Sequence, residues 1–228
     1  MFCPTTIDIK QLISAMMDRI QFLKNDVTRE SIKQCNTLEG VEVPNDVEFF
    51  EYIKGCAETF QELIKPPAEV TRFLGNSSFR CDKGFPSFRG DNCIYMSKRN
   101  IDKKFIDKEG FIKVYKFDGR YVYQSIIDKP SVDTPIQLRL YEFFSNINYM
   151  IHGHVYVKDE PFTGIVYPCG AVEEVREIIS ALNGRYGLLS FAVNLKGHGC
   201  LIGGATVDDL KGYEFVARSV PELIEYRP

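Results

Sequence analysis

Apolar residues recur at helical spacing over residues 7–24, where Ile9, Leu12, Ile13, Met16, Ile20 and Leu23 form one stripe. The same spacing predicts a second helix over residues 46–64. Asn45 is placed to cap it, Glu48 completes a capping box three residues on, and Pro66-Pro67 ends it. Residues 25–44 between them are polar and poorly patterned, and read as a short helix and a loop. From residue 70 the pattern shortens to strands. Residues 92–97 read as one, and 111–117 and 120–125 flank Asp118-Gly119, a hairpin turn whose central positions need positive φ. Thr134 caps a helix with Pro135 at its first position, continuing through Leu138, Leu140, Tyr141, Phe144 and Ile147. A strand follows around residues 149–156, then a helix over 171–182, a strand over 188–195 and a turn at Gly197-His198-Gly199. Thr206 with Asp209 caps a last helix over 207–219. Strands and helices alternate loosely around a central hairpin, which predicts an α/β sandwich with a mixed or antiparallel sheet. The first 45 residues read as an N-terminal helical extension, and 46–228 as the main domain.

Composition narrows the function classes. With 228 residues, 44% hydrophobic and 26% charged, the chain can bury a substantial core. A net charge of -3 gives no electrostatic case for nucleic acid or an anionic membrane. No apolar stretch approaches the ~20 residues of a transmembrane span. The first residues lack the charged start and apolar run of a signal peptide. Seven cysteines, an odd number scattered without a C-x-x-C pair, suit reduced thiols in a cytoplasm. The expectation is a soluble cytoplasmic protein without a nucleic-acid or membrane partner.

The chain has three histidines. His152 and His154 sit one residue apart among Ile, Val and Tyr, a strand context in which both side chains point to one face. His198 lies in the Gly-flanked turn. Two imidazoles on a strand and a third from a turn form a three-ligand set that leaves zinc an open position. Spacing alone leaves open that these are three unrelated polar residues; the wider pattern favours a metal. Neutral imidazoles also suit Fe²⁺, Mn²⁺, Co²⁺ and Ni²⁺.

Four blocks in order resemble the class II (zinc-dependent) aldolase/adducin family. They are Gly75-Asn76-Ser77-Ser78-Phe79-Arg80, Lys129-Pro130-Ser131-Val132-Asp133-Thr134-Pro135, Ile151-His152-Gly153-His154, and residues 194–202 around His198. The resemblance covers about residues 47–219. It implies a three-layer αβα sandwich with a mixed, largely antiparallel sheet. It implies Zn²⁺, or another divalent metal, held by His152, His154 and His198, with Asp133 as acid/base or further ligand. Family aldolases typically carry Glu at that position and 4-epimerases carry Asp. An Asp just before a helix also has the plainer role of stabilising the helix start. Gly75, Asn76, Ser77, Ser131 and Arg99 are the implied contacts of a substrate anion, Ser131 because a helix N-terminus favours one.

The implied activity is aldol cleavage of a hydroxy-carbonyl compound, a sugar phosphate, through a metal-stabilised enediolate. A 4-epimerase or dehydratase of the same family is the nearest alternative. A non-catalytic adducin-like interaction module is the rival from another class. A cyclic homotetramer with the site between subunits is implied as well. Tyr213 and Tyr226 are candidates for a proton donor. The chain departs from the family pattern in four places. Ser97-Lys98-Arg99-Asn100 replaces a T-P-[ST]-G turn, with Asn100 able to tolerate positive φ. Val132 replaces a serine, Gln137 stands where many members have His, and residues 155–167 form a shortened segment.

Overall fold

The computed structural model describes residues 28, 30–35, 42–64, 73–81, 93–117, 120–185 and 187–218. The predicted helix over 7–24, the Pro66-Pro67 stop and the Asp118-Gly119 turn lie outside the described residues. In chain order the elements are β1 (Lys33–Gln34), α1 (Val47–Ile64), β2 (Asn76–Arg80), β3 (Ile94–Ser97), β4 (Phe111–Phe117) and β5 (Arg120–Tyr123). Then come α2 (Thr134–Phe143), β6 (Tyr149–Gly153), β7 (Tyr156–Val157), α3 (Glu174–Ala181), β8 (Ser190–Leu195), β9 (Gly199–Gly204) and β10 (Phe215–Val216).

Eight strands make one sheet in the order β1-β5-β4-β3-β2-β6-β9-β8, and β7 and β10 pair separately. Every neighbouring pair in the large sheet is antiparallel except β1 with β5. The period-two alternation of strands sorts the apolar side chains into two cores. Met150 and Leu201 face one way, and join Ile136, Leu140 and Phe144 around α2 with Val175 and Ile178 of α3. Ile151 and Ile202 face the other way, and join Phe49, Phe50, Ile53 and Phe60 of α1. Helices therefore cover both faces, which gives the predicted αβα sandwich. Each fully buried Phe, Leu or Ile contributes about 1.5–3 kcal/mol relative to exposure.

The capping chemistry differs in detail from the sequence reading. Asp46, rather than Asn45, caps α1: its Oδ1 accepts from Phe49 N–H at 3.3 Å, and its Oδ2 accepts from the Tyr149 hydroxyl at 2.9 Å. That second bond ties the start of α1 to β6. Thr134 is the first residue of α2, and its hydroxyl donates to Ser131 O at 2.6 Å. Residues 33–34, read as part of a short helix and loop, pair with β5 instead. The predicted last helix over 207–219 shrinks to one turn, Asp208–Leu210. Thr206 and Asp209 do bond reciprocally there. Gly212 then takes φ +90° and turns the chain so that Phe215 pairs with β7 and packs on Phe60 at 4.8 Å. Tertiary pairing outweighs helix propensity at this point.

The expectation of free thiols throughout fails at one pair. Arg80 and Ile94 are partners in the β2–β3 ladder, so Cys81 and Cys93 fall opposite one another and form a disulfide, Cα atoms 5.4 Å apart. The sequence spacing hides this because the hairpin brings the two together. Cys35, Cys56, Cys169 and Cys200 form no disulfide. Among the described residues no helix is long and apolar enough to cross a membrane.

Candidate metal centre

β6 ends at Gly153, so His152 is its last side chain before that glycine, and His154 lies in the bend leading to β7. The two therefore do not share one regular strand, yet their rings come together, with centroids 5.1 Å apart. Gly153 allows this. A Cβ there would sit 2.4 Å from the Phe60 ring, which packs on the glycine from α1. His198 arrives from the turn between β8 and β9, its ring centroid 4.5 Å from that of His152 and 5.1 Å from that of His154. Arg218 fastens that turn by donating to Gly197 O at 3.0 Å and His198 O at 2.9 Å. All three histidines are buried, and one ligand nitrogen from each lies within 4.8 Å of the others.

The donor set fits a metal ion on a specific observation. The Nδ1–H of His152 donates to Cys200 O at 2.8 Å, which leaves Nε2 as the lone-pair nitrogen. That Nε2 is fully buried and has no hydrogen-bond partner. A buried acceptor without a partner costs about 1–3 kcal/mol, and a bound cation removes the cost. Burial, and then the neighbouring His198, push His152 down to about 4. Burial, followed by His152 and His198, holds His154 well below its ordinary value. Both are neutral imidazoles near pH 7, the form a metal binds.

His198 behaves differently. Burial alone would push its value down, but the Cys169 thiol and the Glu174 carboxylate outweigh burial and raise it well above the ordinary range. Glu174 Oε1 lies 3.5 Å from Nδ1, and Cys169 Sγ lies 3.3 Å from Nε2. The surroundings of His198 thus favour a positive charge, whether a proton or a metal ion. Glu174, only 2% exposed, lies behind the His198 imidazole, where a carboxylate orients the ring and raises its basicity. The sequence reading named neither Glu174 nor Cys169.

Asp133 occupies the N-cap position of α2, yet its carboxylate makes no capping bond. Oδ1 accepts from Gly170 N–H and Oδ2 from Asn76 Nδ2, both at 2.8 Å. Gly170 holds φ +79°, a conformation that favours glycine, and a Cβ there would lie a tight 3.0 Å from Val132 O. Asp133 is buried, and its charge is felt at His152. Behind it runs a buried polar chain. Gln137 Nε2 donates to Asn76 Oδ1, the Ser78 hydroxyl donates to Gln137 Oε1, and Ser78 Oγ lies 2.9 Å from the Tyr141 hydroxyl. Gln137, read only as a departure from the family pattern, is a structural member of this chain.

The residues read as anion contacts spread out. Gly75, at φ +79°, lets the chain pass where a Cβ would meet His152 O at 2.4 Å, and Asn76 pairs with His152 in the β2–β6 ladder. Ser77 N–H donates to Ser97 Oγ at 3.1 Å, and Ser77 Oγ is buried without a partner. Ser131 Oγ accepts from Asp133 N–H at 3.4 Å. Arg99 is exposed, Lys98 pairs with Asp128 at 2.8 Å, and Asn100 takes φ +61° as the substituted turn requires. Tyr213 is half-buried in the α1-side core with its hydroxyl bonded to Ser190, at the start of β8. The turn carrying His198 follows the other end of that strand. Tyr226 lies outside the described residues.

Comparison with known proteins agrees with this geometry. Residues 56–157 match the family profile described as Class II Aldolase and Adducin N-terminal domain, a span that holds Asp133, His152 and His154. No curated protein sequence matches the chain. A solved L-fuculose 1-phosphate aldolase superposes with TM-score 0.50 and 18% identity, over 75% of this chain and 81% of that one. An aldolase II superfamily protein from Pseudomonas syringae superposes with TM-score 0.50 and 14% identity, over 76% of this chain and 71% of that one. At these identities the likeness is one of fold. Residues 56–157 thus resemble the class II aldolase/adducin N-terminal domain, and the αβα fold around them is like that of these two solved structures.

Proposed function

We propose that the protein is a metal-dependent enzyme that cleaves a hydroxy-carbonyl substrate, a sugar phosphate, by aldol chemistry. His152, His154 and His198 would hold the ion, zinc by default. The observation that carries this reading is the buried Nε2 of His152, stripped of any partner while its other nitrogen is anchored to Cys200 O. A divalent ion held there would supply Lewis acidity to a substrate carbonyl oxygen. Asp133 is the proton acceptor and donor. Its two oxygens are fixed by Gly170 and Asn76 with lone pairs to spare, so the carboxylate is oriented before substrate arrives. Glu174 holds His198 in place. Ser77, with its unpartnered hydroxyl, and Ser131 remain the polar contacts proposed for the substrate.

The shorter Asp133 carboxylate, where family aldolases carry Glu, keeps 4-epimerisation as a second reading of the same site. Exposed Phe105, Ile126 and Ile127 support oligomerisation, and a tetramer is the form we propose from the family. Metal analysis of protein purified without added metal, beside His154→Ala, tests the reading. About one ion per chain, lost in the variant, supports it. Ketose phosphates then separate cleavage from epimerisation by their products. No ion in either protein after reconstitution moves the adducin-like module to first place.

A further inference from the structure

A cavity of about 130 Å³ lies between α1 and the turn at Lys103–Phe105, and His152 of the histidine cluster is among its lining residues. Ile53, Phe60 and Ile151 give it an apolar lining, and Asn76 and His152 line it as well. Lys103 also lines it, although the residue is only 8% exposed. Its Nζ donates to Ile101 O at 3.2 Å, and among the described residues no carboxylate pairs with it. Asp102, the nearest acidic neighbour in sequence, spends Oδ1 capping the turn by accepting from Lys104 N–H at 3.0 Å, and its charge favours the ammonium without offsetting the burial. An ammonium kept from water and given one carbonyl is an expensive arrangement that folding alone does not explain. Burial holds Lys103 down to about 8, and its charge is felt at both His152 and His154.

We infer that Lys103 is the binding residue for the anionic group of the substrate, seated in this cavity with the reacting carbons toward His152. The inference rests on the proposed function and relocates the anion site. Arg99, the cation expected there from sequence, is exposed, whereas Lys103 is buried beside the centre. An ammonium recognises a phosphate monoester or a carboxylate by the same charge-assisted hydrogen bonds. The apolar walls suit a short carbon chain behind that group. Lys103 itself is a point charge with two further N–H donors to offer.

The test uses the metal-loaded full chain. Unfolding midpoints are measured with rising inorganic phosphate or acetate for the parent protein, Lys103→Met, and the exposed-site control Lys116→Met. In parallel the parent protein is treated with acetic anhydride, with and without each anion, and modification at Lys103 is read by mass spectrometry. A stabilising shift present in the parent and in Lys116→Met but lost in Lys103→Met, with protection of Lys103, is the expected result. A response to phosphate alone assigns a phosphate monoester; a response to acetate assigns a carboxylate. A shift unchanged in Lys103→Met, or acetylation of Lys103 that neither anion slows, overturns the inference. So does a Lys103 that the reagent never reaches, because an anion could not reach it either. If Lys103→Met fails to fold, the protection experiment on the parent protein decides alone. Metal content of the same samples separates the two ideas. Metal present without any anion response sinks this inference only; both responses without metal sink the metal reading only.

Discussion

The imidazole of His152 is anchored on one side by Cys200, whose carbonyl oxygen accepts the Nδ1–H at 2.8 Å, and is unsatisfied on the other. The two residues face each other because β6 and β9 pair with Gly153 opposite Cys200 and His152 opposite Leu201. The backbone ladder therefore sets the tautomer. Removing the ion from a site built this way should be felt as lost stability. At thousandfold excess over Kd a bound ion adds about 4 kcal/mol, or roughly 10 °C in midpoint for a chain of this size. We expect a chelator to lower the midpoint of the parent protein by that order. His152→Ala should show no chelator effect, and an equal drop in both would detach the stabilisation from this site.

Glu174→Gln keeps the volume behind His198 and removes the charge. The carboxylate lies 3.5 Å from Nδ1 and is buried, so no water replaces its effect. Loss of such a partner typically weakens metal binding by about 10–100-fold. Competition with a chromophoric chelator measures this directly. Unchanged affinity would leave Glu174 as packing only.

Asp133→Asn should fold nearly as well as the parent, for a reason visible in the polar chain behind it. If the new amide nitrogen at this position faces Asn76, then Asn76 and Gln137 can each flip. Gln137 then donates to Ser78 Oγ, and that hydroxyl can turn its proton toward Tyr141. Every group stays paired because the chain ends in hydroxyls. Asp133→Ala instead strands Gly170 N–H and Asn76 Nδ2, at about 1–3 kcal/mol for each. Denaturant midpoints should rank the two variants in that order, while turnover is lost in both. Full turnover in Asp133→Asn would remove Asp133 as the base.

Gly153→Ala tests whether α1 shapes the histidine pair. The added Cβ would meet Phe60 Cε2 at 2.4 Å, so the ring must move. Overpacking of this kind costs about 1–3 kcal/mol. Phe60→Leu in the same chain should recover part of that loss, and a double variant no more stable than Gly153→Ala alone would show another cause. Metal affinity should follow stability, because the glycine sits between the two proposed ligands His152 and His154.

What the sequence could show is whatever lies in local pattern. The H-x-H pair, the glycines around His198 and the alternation of Tyr149, Met150, Ile151 and His152 are all local; spacing alone leaves the three histidines open as unrelated residues, and the four-block resemblance is needed to group them. Glu174 and Cys169 carry no such signal. They reach His198 through the packing of α3 and the loop before it, over distances in sequence that no period encodes. Lys103 was hidden for a related reason. It stands in a charged run, Asp102 to Lys104, that reads as a solvated loop, yet it is buried and lines a cavity together with residues of α1. The helix over 207–219 had a genuine capping signal, but Phe215 gains more by pairing with β7.

That burial of Lys103 carries a measurable cost with a defined pH window. Its value falls from 10.5 in the open chain to about 8 in the fold, chiefly through desolvation. Below pH 8 the side chain is charged in both states, and the full penalty, about 3 kcal/mol, weighs on the native state. Between pH 8 and 10.5 the unfolded chain holds a proton that the folded chain has released, so stability rises with pH in this window. Above 10.5 both states are neutral and the penalty is gone. Lys103→Met, measured without added anion, should therefore be the more stable protein at pH 7, and its advantage should shrink to nothing by about pH 10.5. Taking the difference between the two proteins cancels the other groups that titrate there. A gain that stays flat across the window would mean that the ammonium is well solvated in the native state, and the buried cation at the mouth of the metal centre would no longer need a ligand to explain it.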